Sequence, residues 1–167
     1  AKEEDPNSGG RQMPQHYGHK DLNIVSQSSP TGTQYLQAVG AAFALQREKS
    51  SAVVYVSSGE GSTSEGEFHE ALNWASREKL PVIFHIQDNE YAISTHKSEQ
   101  TAGSVFSLVS GYENLSRFQV DGTDFFETHL AFKQAAERAR KGKGPSVIVS
   151  NVVRLMPHSS SDDQRKY

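Results

Sequence analysis

Short runs rich in β-branched residues, Ala52–Val56, Pro81–Ile86 and Pro145–Val153, alternate along this chain with stretches of helical periodicity. That alternation restricts the fold more than any other feature. Runs of this length fit strands buried on both faces, and the segments between them are long enough to return each strand parallel to the last. The pattern therefore predicts an α/β fold, a parallel sheet with helices on both faces. From Thr33, the residues Leu36, Val39, Gly40, Phe43 and Ala44 recur at helical spacing, until the polar run Gln46–Ser50 ends the segment. A Gly/Ser loop, Ser57–Ser64, follows the first strand, and Ser64 with Glu67 reads as a capping box. The helix so opened puts Phe68, Leu72 and Ala75 on one face and ends near Lys79. The loop Gln87–Ser98 leads into a weaker segment; Arg117–Val120 is a further strand, and Asp124 caps a helix that runs to Lys141 and stops at Gly142. The first thirty residues, rich in Gly, Pro, Ser, His and Gln, predict an extended loop, and Pro157–Tyr167 a polar tail. No internal repeat is visible.

At 167 residues the chain predicts a single domain, residues 1–167. A hydrophobic content of 35% and a mean hydropathy of −0.64 are low for a self-sufficient domain whose sheet is buried twice over. Polar margins or a missing remainder are expected. The start, Ala1-Lys2-Glu3-Glu4-Asp5, has neither an initiator Met nor a signal peptide, and is read as part of a longer chain. A net charge of −3 lacks the basic excess that phosphate-backbone binding needs, so no nucleic-acid partner is expected. No apolar run approaches the roughly 18 residues of a membrane span, so no membrane association is expected. With no Cys there is no disulfide, thiolate metal site or cysteine nucleophile, which fits a reducing compartment.

Ligands of parallel sheets bind beyond the carboxyl ends of the strands, which directs attention to the loops after Val56, Ile86, Val120 and Val153. Gly59-Glu60-Gly61-Ser62-Thr63-Ser64 lies between a strand and a helix start, where free N–H groups favour a phosphate; a flexible connection is the alternative. It is neither a dinucleotide fingerprint nor a P-loop, since its third glycine is misplaced and Gly66 is followed by Glu67. A carboxylate beside a phosphate cradle repels the anion unless a cation lies between, and Mg²⁺ is the usual solution. Asn89 and the Tyr91 carbonyl, in the loop Gln87-Asp88-Asn89-Glu90-Tyr91, could supply further oxygens. Asp88 and Asn89 could equally be turn formers.

Gly59-Glu60-Gly61, twenty-six residues, then Asp88-Asn89 resembles the thiamine diphosphate motif, which usually begins Gly-Asp-Gly and ends Asn-Asn. The stretches Glu65-Gly66-Glu67-Phe68-His69-Glu70-Ala71-Leu72-Asn73 and Tyr91-Ala92-Ile93-Ser94 are similar to the α subunit of the E1 component of 2-oxo acid dehydrogenase complexes. The likeness runs through nearly the whole chain, from Gly10-Arg11-Gln12-Met13-Pro14 to His158-Ser159-Ser160-Ser161-Asp162-Asp163. Arg11–Pro14 and the Ser-Asp-Asp ending point to the branched-chain (2-oxoisovalerate) type.

The resemblance implies the diphosphate-binding domain fold, with Mg²⁺ held by Glu60, Asn89 and the Tyr91 carbonyl. It further implies backbone contacts from Gly61 and Ser62 to the diphosphate, and Ser29 near the cofactor's pyrimidine end. Gln87 falls where some relatives place a phosphate-binding Arg and can offer an amide but no charge. Two more departures, Glu60 for Asp and Asp88 for Asn, leave the ligand set intact. Ser28, Pro30, Thr33 and Gln34 match a potassium site of some branched-chain relatives; a helix start after a Ser-Pro turn is the other reading. His158, in the segment 154–167 that resembles the family's active-site loop, is the implied catalytic residue and approaches the cofactor. His16, His19, His69, His85, His96 and His129 are assigned to packing or solvent.

The implied reaction is oxidative decarboxylation of a branched-chain 2-oxo acid, with acyl transfer to the lipoyl domain of E2. Implied partners are that E2 and an E1 β subunit or a fused β half, as a heterotetramer or a homodimer of fused chains. The carboxylate that activates the aminopyrimidine belongs to the partner, so this chain alone is expected to be inactive. The compartment would be the cytoplasm of a bacterium or the mitochondrial matrix of a eukaryote. The rivals are a pyruvate or acetoin dehydrogenase E1 α subunit and a non-catalytic phosphate-binding α/β module.

Overall fold

Helix α1 (Thr33–Arg47) leads into strand β1 (Val54–Gly59), a 3₁₀ turn (Glu60–Ser64), helix α2 (Gly66–Glu78) and strand β2 (Val82–Asp88) in the computed structural model, which describes residues 5–13 and 16–167. A two-stranded hairpin, β3 (Tyr91–Ala92) and β4 (Thr95–His96), and the short helices α3 (Lys97–Gln100) and α4 (Val105–Leu108) connect to β5 (Ser116–Asp121), α5 (Phe125–Arg140) and β6 (Ser146–Asn151). Ala1–Glu4 and Pro14, to which the reading of the chain start and of Arg11–Pro14 refers, lie outside the described residues.

The four long strands pair in parallel in the order β1-β2-β6-β5. Side chains of β2 alternate between the faces, so the continuous run Val82–Ile86 feeds two cores. Phe84 and Ile86 pack with Tyr35, Val39, Phe68 and Leu72 of α1 and α2, while Ile83 packs with Ile148, Ala131 and Ala135 beneath α5. Helices thus cover both faces, as the alternation predicts. Among the described residues no helix is long and apolar enough to cross a membrane.

Several boundaries move. β1 starts two residues later than Ala52–Val56 and runs on through Ser57, Ser58 and Gly59, because pairing with His85, Ile86 and Gln87 extends it past its β-branched stretch. The ladder is made by backbone groups, which serine and glycine also possess. β2 likewise continues to Asp88, and β6 covers Ser146–Asn151 rather than Pro145–Val153. The Ser64/Glu67 capping box does not form. The 3₁₀ turn runs straight into α2, Glu65 takes the N-cap position without a side-chain bond, and Ser64 Oγ instead accepts from Gln100 Nε2 at 2.8 Å. Asp124 does cap α5, accepting from the N–H groups of Phe126 and Glu127. The opening loop contains a 3₁₀ turn (Lys20–Leu22) closed by a bridge from His19 to Ile24.

Candidate functional site

Parallel register brings the strand ends level, pairing Gly59 with Gln87 and placing Asn151 beside both Asp88 and Asp121. The turn after β1 and the loop after β2 are therefore neighbours. Glu60 is only 2% exposed. Its Oε2 accepts the Asn89 backbone N–H at 3.2 Å, while Oε1 is buried without a hydrogen-bond partner. Burial pushes the Glu60 carboxyl up from its usual range; hydrogen bonds from the N–H groups of Glu60 and Asn89 oppose that, the Asp88 charge adds to it and Lys97 counters it. A buried carboxylate oxygen without a donor is costly unless a proton or a cation completes it. Asn89 Oδ1 accepts from the Tyr91 N–H at 3.1 Å and Asp88 Oδ1 from the Glu90 N–H at 3.0 Å. Both are thus the turn formers that local chemistry suggests, and the Asn89 carbonyl keeps a second lone pair for a further partner. Among the described residues no group of three or more His, Asp or Glu side chains gathers in a way that could hold a metal, at this site or elsewhere.

The turn is fastened from below and from the side by residues without a signal in the sequence. Tyr35 of α1, fully buried, directs its hydroxyl to Ser58 Oγ and Ser62 Oγ, the latter at 2.6 Å; Ser62 Oγ donates to Gly59 O at 2.9 Å. Gln100 of α3 donates to Gly61 O at 2.8 Å. Gly61 is required by packing: a Cβ there would lie 2.7 Å from the Ala92 Cβ of the β3–β4 hairpin. Lys97 reaches the carboxylates of Asp88 and Glu90 at 3.3 and 3.0 Å. Tyr35 stands outside the helical run Leu36, Val39, Gly40, Phe43 and Ala44, Lys97 falls within the loop Gln87–Ser98, and Gln100 in the weaker segment after it.

Of the other candidates, Gln87 is exposed at the end of β2, on the opposite pleat from Asp88, and Ser29 lies in the exposed bend before α1. Ser28 Oγ meets Thr33 Oγ1, which also donates to Pro30 O at 3.2 Å, so three oxygens converge; Gln34 Oε1 is taken by the Gly32 N–H at 3.1 Å. His158 is exposed, and its backbone N–H donates to Asp162 Oδ2 at 2.8 Å; its ring makes no hydrogen bond to Glu60 or Asn89 among the described residues. The tail nevertheless reaches the site. The Arg154 guanidinium lies 5.6 Å from the Tyr91 ring centre and 5.3 Å from that of Tyr167, whose hydroxyl accepts from Arg154 and donates to Asp162 Oδ2, each at 2.6 Å. His85 is a buried packing residue, held between Tyr55 OH and Ser150 Oγ at 2.9 Å each.

Comparison with known proteins bears on the family and the fold. The family model for the dehydrogenase E1 component matches residues 1–167. The α subunit of 2-oxoisovalerate dehydrogenase from Bacillus subtilis is 47% identical over all of this chain and 51% of its own length. The mitochondrial human counterpart is 42% identical over 95% of this chain and 36% of its own length. A pyruvate dehydrogenase E1 component α subunit from Staphylococcus aureus is 38% identical over 95% of this chain and 42% of its own length. The chain thus spans about half the length, or less, of these relatives. Among solved structures, a transketolase from Campylobacter jejuni superposes with a TM-score of 0.67 at 21% identity, over 79% of this chain and 22% of its own. A putative thiamin diphosphate-dependent enzyme from Mycobacterium smegmatis gives 0.56 at 22% identity, over 79% and 24%. Both share the fold.

Proposed function

Since the chain belongs to the dehydrogenase E1 component family, we propose that it forms the diphosphate-holding part of a thiamine diphosphate-dependent E1 α subunit that acts on branched-chain 2-oxo acids. The observation that carries the reading is the Glu60 carboxylate, buried at the carboxyl end of β1 against the Asn89 loop with one oxygen unpartnered. Mg²⁺ needs such an oxygen, and near-octahedral coordination leaves room for the Asn89 and Tyr91 carbonyls together with phosphate oxygens and water. The two-residue step between Asn89 and Tyr91 is fixed by the Asn89 side chain bonding the Tyr91 N–H.

Thiamine diphosphate, when bound, supplies the nucleophilic carbon and electron sink for loss of CO₂ from a 2-oxo acid. This chain's own part is to bind and orient. Glu60 offers negative charge to the metal, and the N–H groups of Gly61 and Ser62, at the start of the 3₁₀ turn, face anionic oxygens. Ser29 and Gln87 contribute neutral hydrogen-bonding groups at the rim. His158 enters from the tail that Arg154 and Tyr167 hold against Tyr91, and serves as the acid–base group nearest the substrate. A potassium ion at Ser28, Pro30, Thr33 and Gln34 would brace the start of α1; the convergence of Ser28 Oγ, Thr33 Oγ1 and Pro30 O supports it.

The partners under this reading are an E1 β subunit or a fused β half, which would supply the carboxylate for the aminopyrimidine, and the lipoyl domain of E2. The compartment is the cytoplasm of a bacterium or the mitochondrial matrix of a eukaryote. Branched-chain specificity is favoured by the higher identity to the 2-oxoisovalerate enzyme than to the pyruvate enzyme, 47% against 38%. Calorimetry of the complete protein with thiamine diphosphate and Mg²⁺ tests the site: Glu60→Ala and Asn89→Ala should each abolish metal-dependent binding. Unchanged affinity in both variants, or equal affinity without Mg²⁺, refutes the metal assignment. Turnover of 2-oxoisovalerate should exceed that of pyruvate, and the reverse preference makes this a pyruvate-type enzyme.

A further inference from the structure

Two carboxylates, one at the end of β2 and one in the turn after it, converge on one ammonium. Lys97 Nζ lies 3.3 Å from Asp88 Oδ2 and 3.0 Å from Glu90 Oε1, and the Lys97 backbone N–H donates to Glu90 O at 2.8 Å. The side chains of Asp88, Lys97 and Glu90 are 5%, 29% and 55% exposed. The Asp88 contact is thus largely removed from water, while the Glu90 contact is solvated and weak. Asp88 is held in place on its other side too, its Oδ1 accepting from the Glu90 N–H and its backbone carbonyl from the Val152 N–H.

This places a buried negative charge one residue before Asn89, whose backbone touches the Glu60 carboxylate. Two neighbouring carboxylates at one strand-end site favour a dication but oppose an anion as large as a diphosphate. Gln87, on the same strand end, brings no positive charge to offset them. We infer that Lys97 is a positioning residue that cancels the Asp88 charge, and so lets the Glu60–Asn89 site accept a metal diphosphate rather than a bare metal ion. The inference rests on the reading under Proposed function and deepens it. Its chemistry makes the two ligands respond in opposite directions. Loss of the ammonium leaves an uncompensated carboxylate beside the site, which should strengthen or preserve binding of the metal alone and weaken binding of the diphosphate. General damage to the fold would weaken both.

The test is titration calorimetry on the complete protein with Mn²⁺ alone, as a stand-in for Mg²⁺, and with thiamine diphosphate at saturating Mg²⁺. Lys97→Met should lose about tenfold or more in diphosphate affinity, with Mn²⁺ affinity equal to or above that of the unaltered protein. Lys97→Arg should stay close to it. Asp88→Asn keeps the acceptor for the Glu90 N–H, and combined with Lys97→Met it should restore diphosphate binding. Parallel loss of both ligands in Lys97→Met, unchanged diphosphate affinity, or a double variant that is not rescued each overturns the inference. If the unaltered protein shows no Mg²⁺-dependent binding of thiamine diphosphate, the functional reading itself fails, which separates the two outcomes.

Discussion

Replacing Tyr35 with Phe removes a single oxygen from the junction of α1, β1 and the Glu60–Ser64 turn, and the geometry sets the expected cost. Ser62 Oγ donates to Gly59 O at 2.9 Å, so toward Tyr35 it acts as acceptor at 2.6 Å, which leaves Tyr35 to accept from Ser58. In Tyr35→Phe, Ser62 keeps its donor bond and loses only an acceptor contact. Ser58 is half-buried and can turn to water. No buried donor is stranded, which puts the cost at the lower end for a lost hydrogen bond, about 1 kcal/mol. Tyr35→Ala also removes a fully buried ring, 5.0 Å from Phe68 and 6.2 Å from Phe84 between centroids. Deleting a buried aromatic ring costs about 3–5 kcal/mol. Urea unfolding of the two variants, followed by far-UV circular dichroism, should therefore separate them by at least about 2 kcal/mol. If Phe costs as much as Ala, the hydroxyl junction and not the ring holds α1 to the sheet, and the reasoning is wrong.

His85 is buried with its two ring nitrogens committed to Tyr55 and Ser150, and burial holds its pKa below the usual histidine value of 6.5. The unfolded chain then takes the proton first, so stability is full above that value and declines as pH falls below it toward the folded pKa. His85→Gln should flatten unfolding midpoints measured between about pH 8 and 5, and an identical slope in both proteins counts against the assignment. Gly61→Ala would drive a methyl to 2.7 Å from the Ala92 Cβ; overpacking of this kind costs about 1–3 kcal/mol, and Ala92→Gly in the same chain should recover much of it, a result that no rescue would contradict. Tyr167→Phe removes the hydroxyl that joins Arg154 to Asp162. Trypsin should cut the tail faster in that variant, and equal rates would show that the hydroxyl does not hold it.

Periodicity was enough for the parts of this fold in which one residue type decides the outcome. The β-branched run from Val82 and the Asp124 cap are where local preference and tertiary contact agree. β1 was harder to delimit, since Ser57–Gly59 join the sheet only because β2 offers a partner. The Ser64 capping box failed for a related reason: the serine was claimed by Gln100, thirty-six residues away. At the site, Glu60 and Asn89 were visible because spacing between two strand ends is a property of the chain itself. Tyr35, Lys97 and Gln100 were not, because each acts through a tertiary contact: Tyr35 once α1 packs on β1 and the turn, Lys97 and Gln100 once the hairpin and α3 fold back over it. The tail carries few apolar residues, and composition alone suggests too little burial to order it. Its contact with Tyr91 is made instead by the Tyr167 ring, 5.2 Å away between centroids, with the Arg154 guanidinium beside both rings.

The strand order β1-β2-β6-β5 places the latest-made of these four strands in the interior of the sheet. β2 and β5 have no ladder with each other and are joined only through β6. A growing chain can therefore close β1–α2–β2, with Glu60 and Asn89 already neighbours, long before Ser146–Asn151 is made. Until then one edge of β2 and the whole inner edge of β5 remain open, and parallel pairing across so long a separation is slow. Synthesis that stalls anywhere in α5 would leave a half-sheet carrying most of the candidate site but an exposed apolar edge, a species prone to pair with its own copies. Ribosome-bound chains of increasing length should accordingly gain protease resistance in two steps, the second only after Asn151 has cleared the exit tunnel.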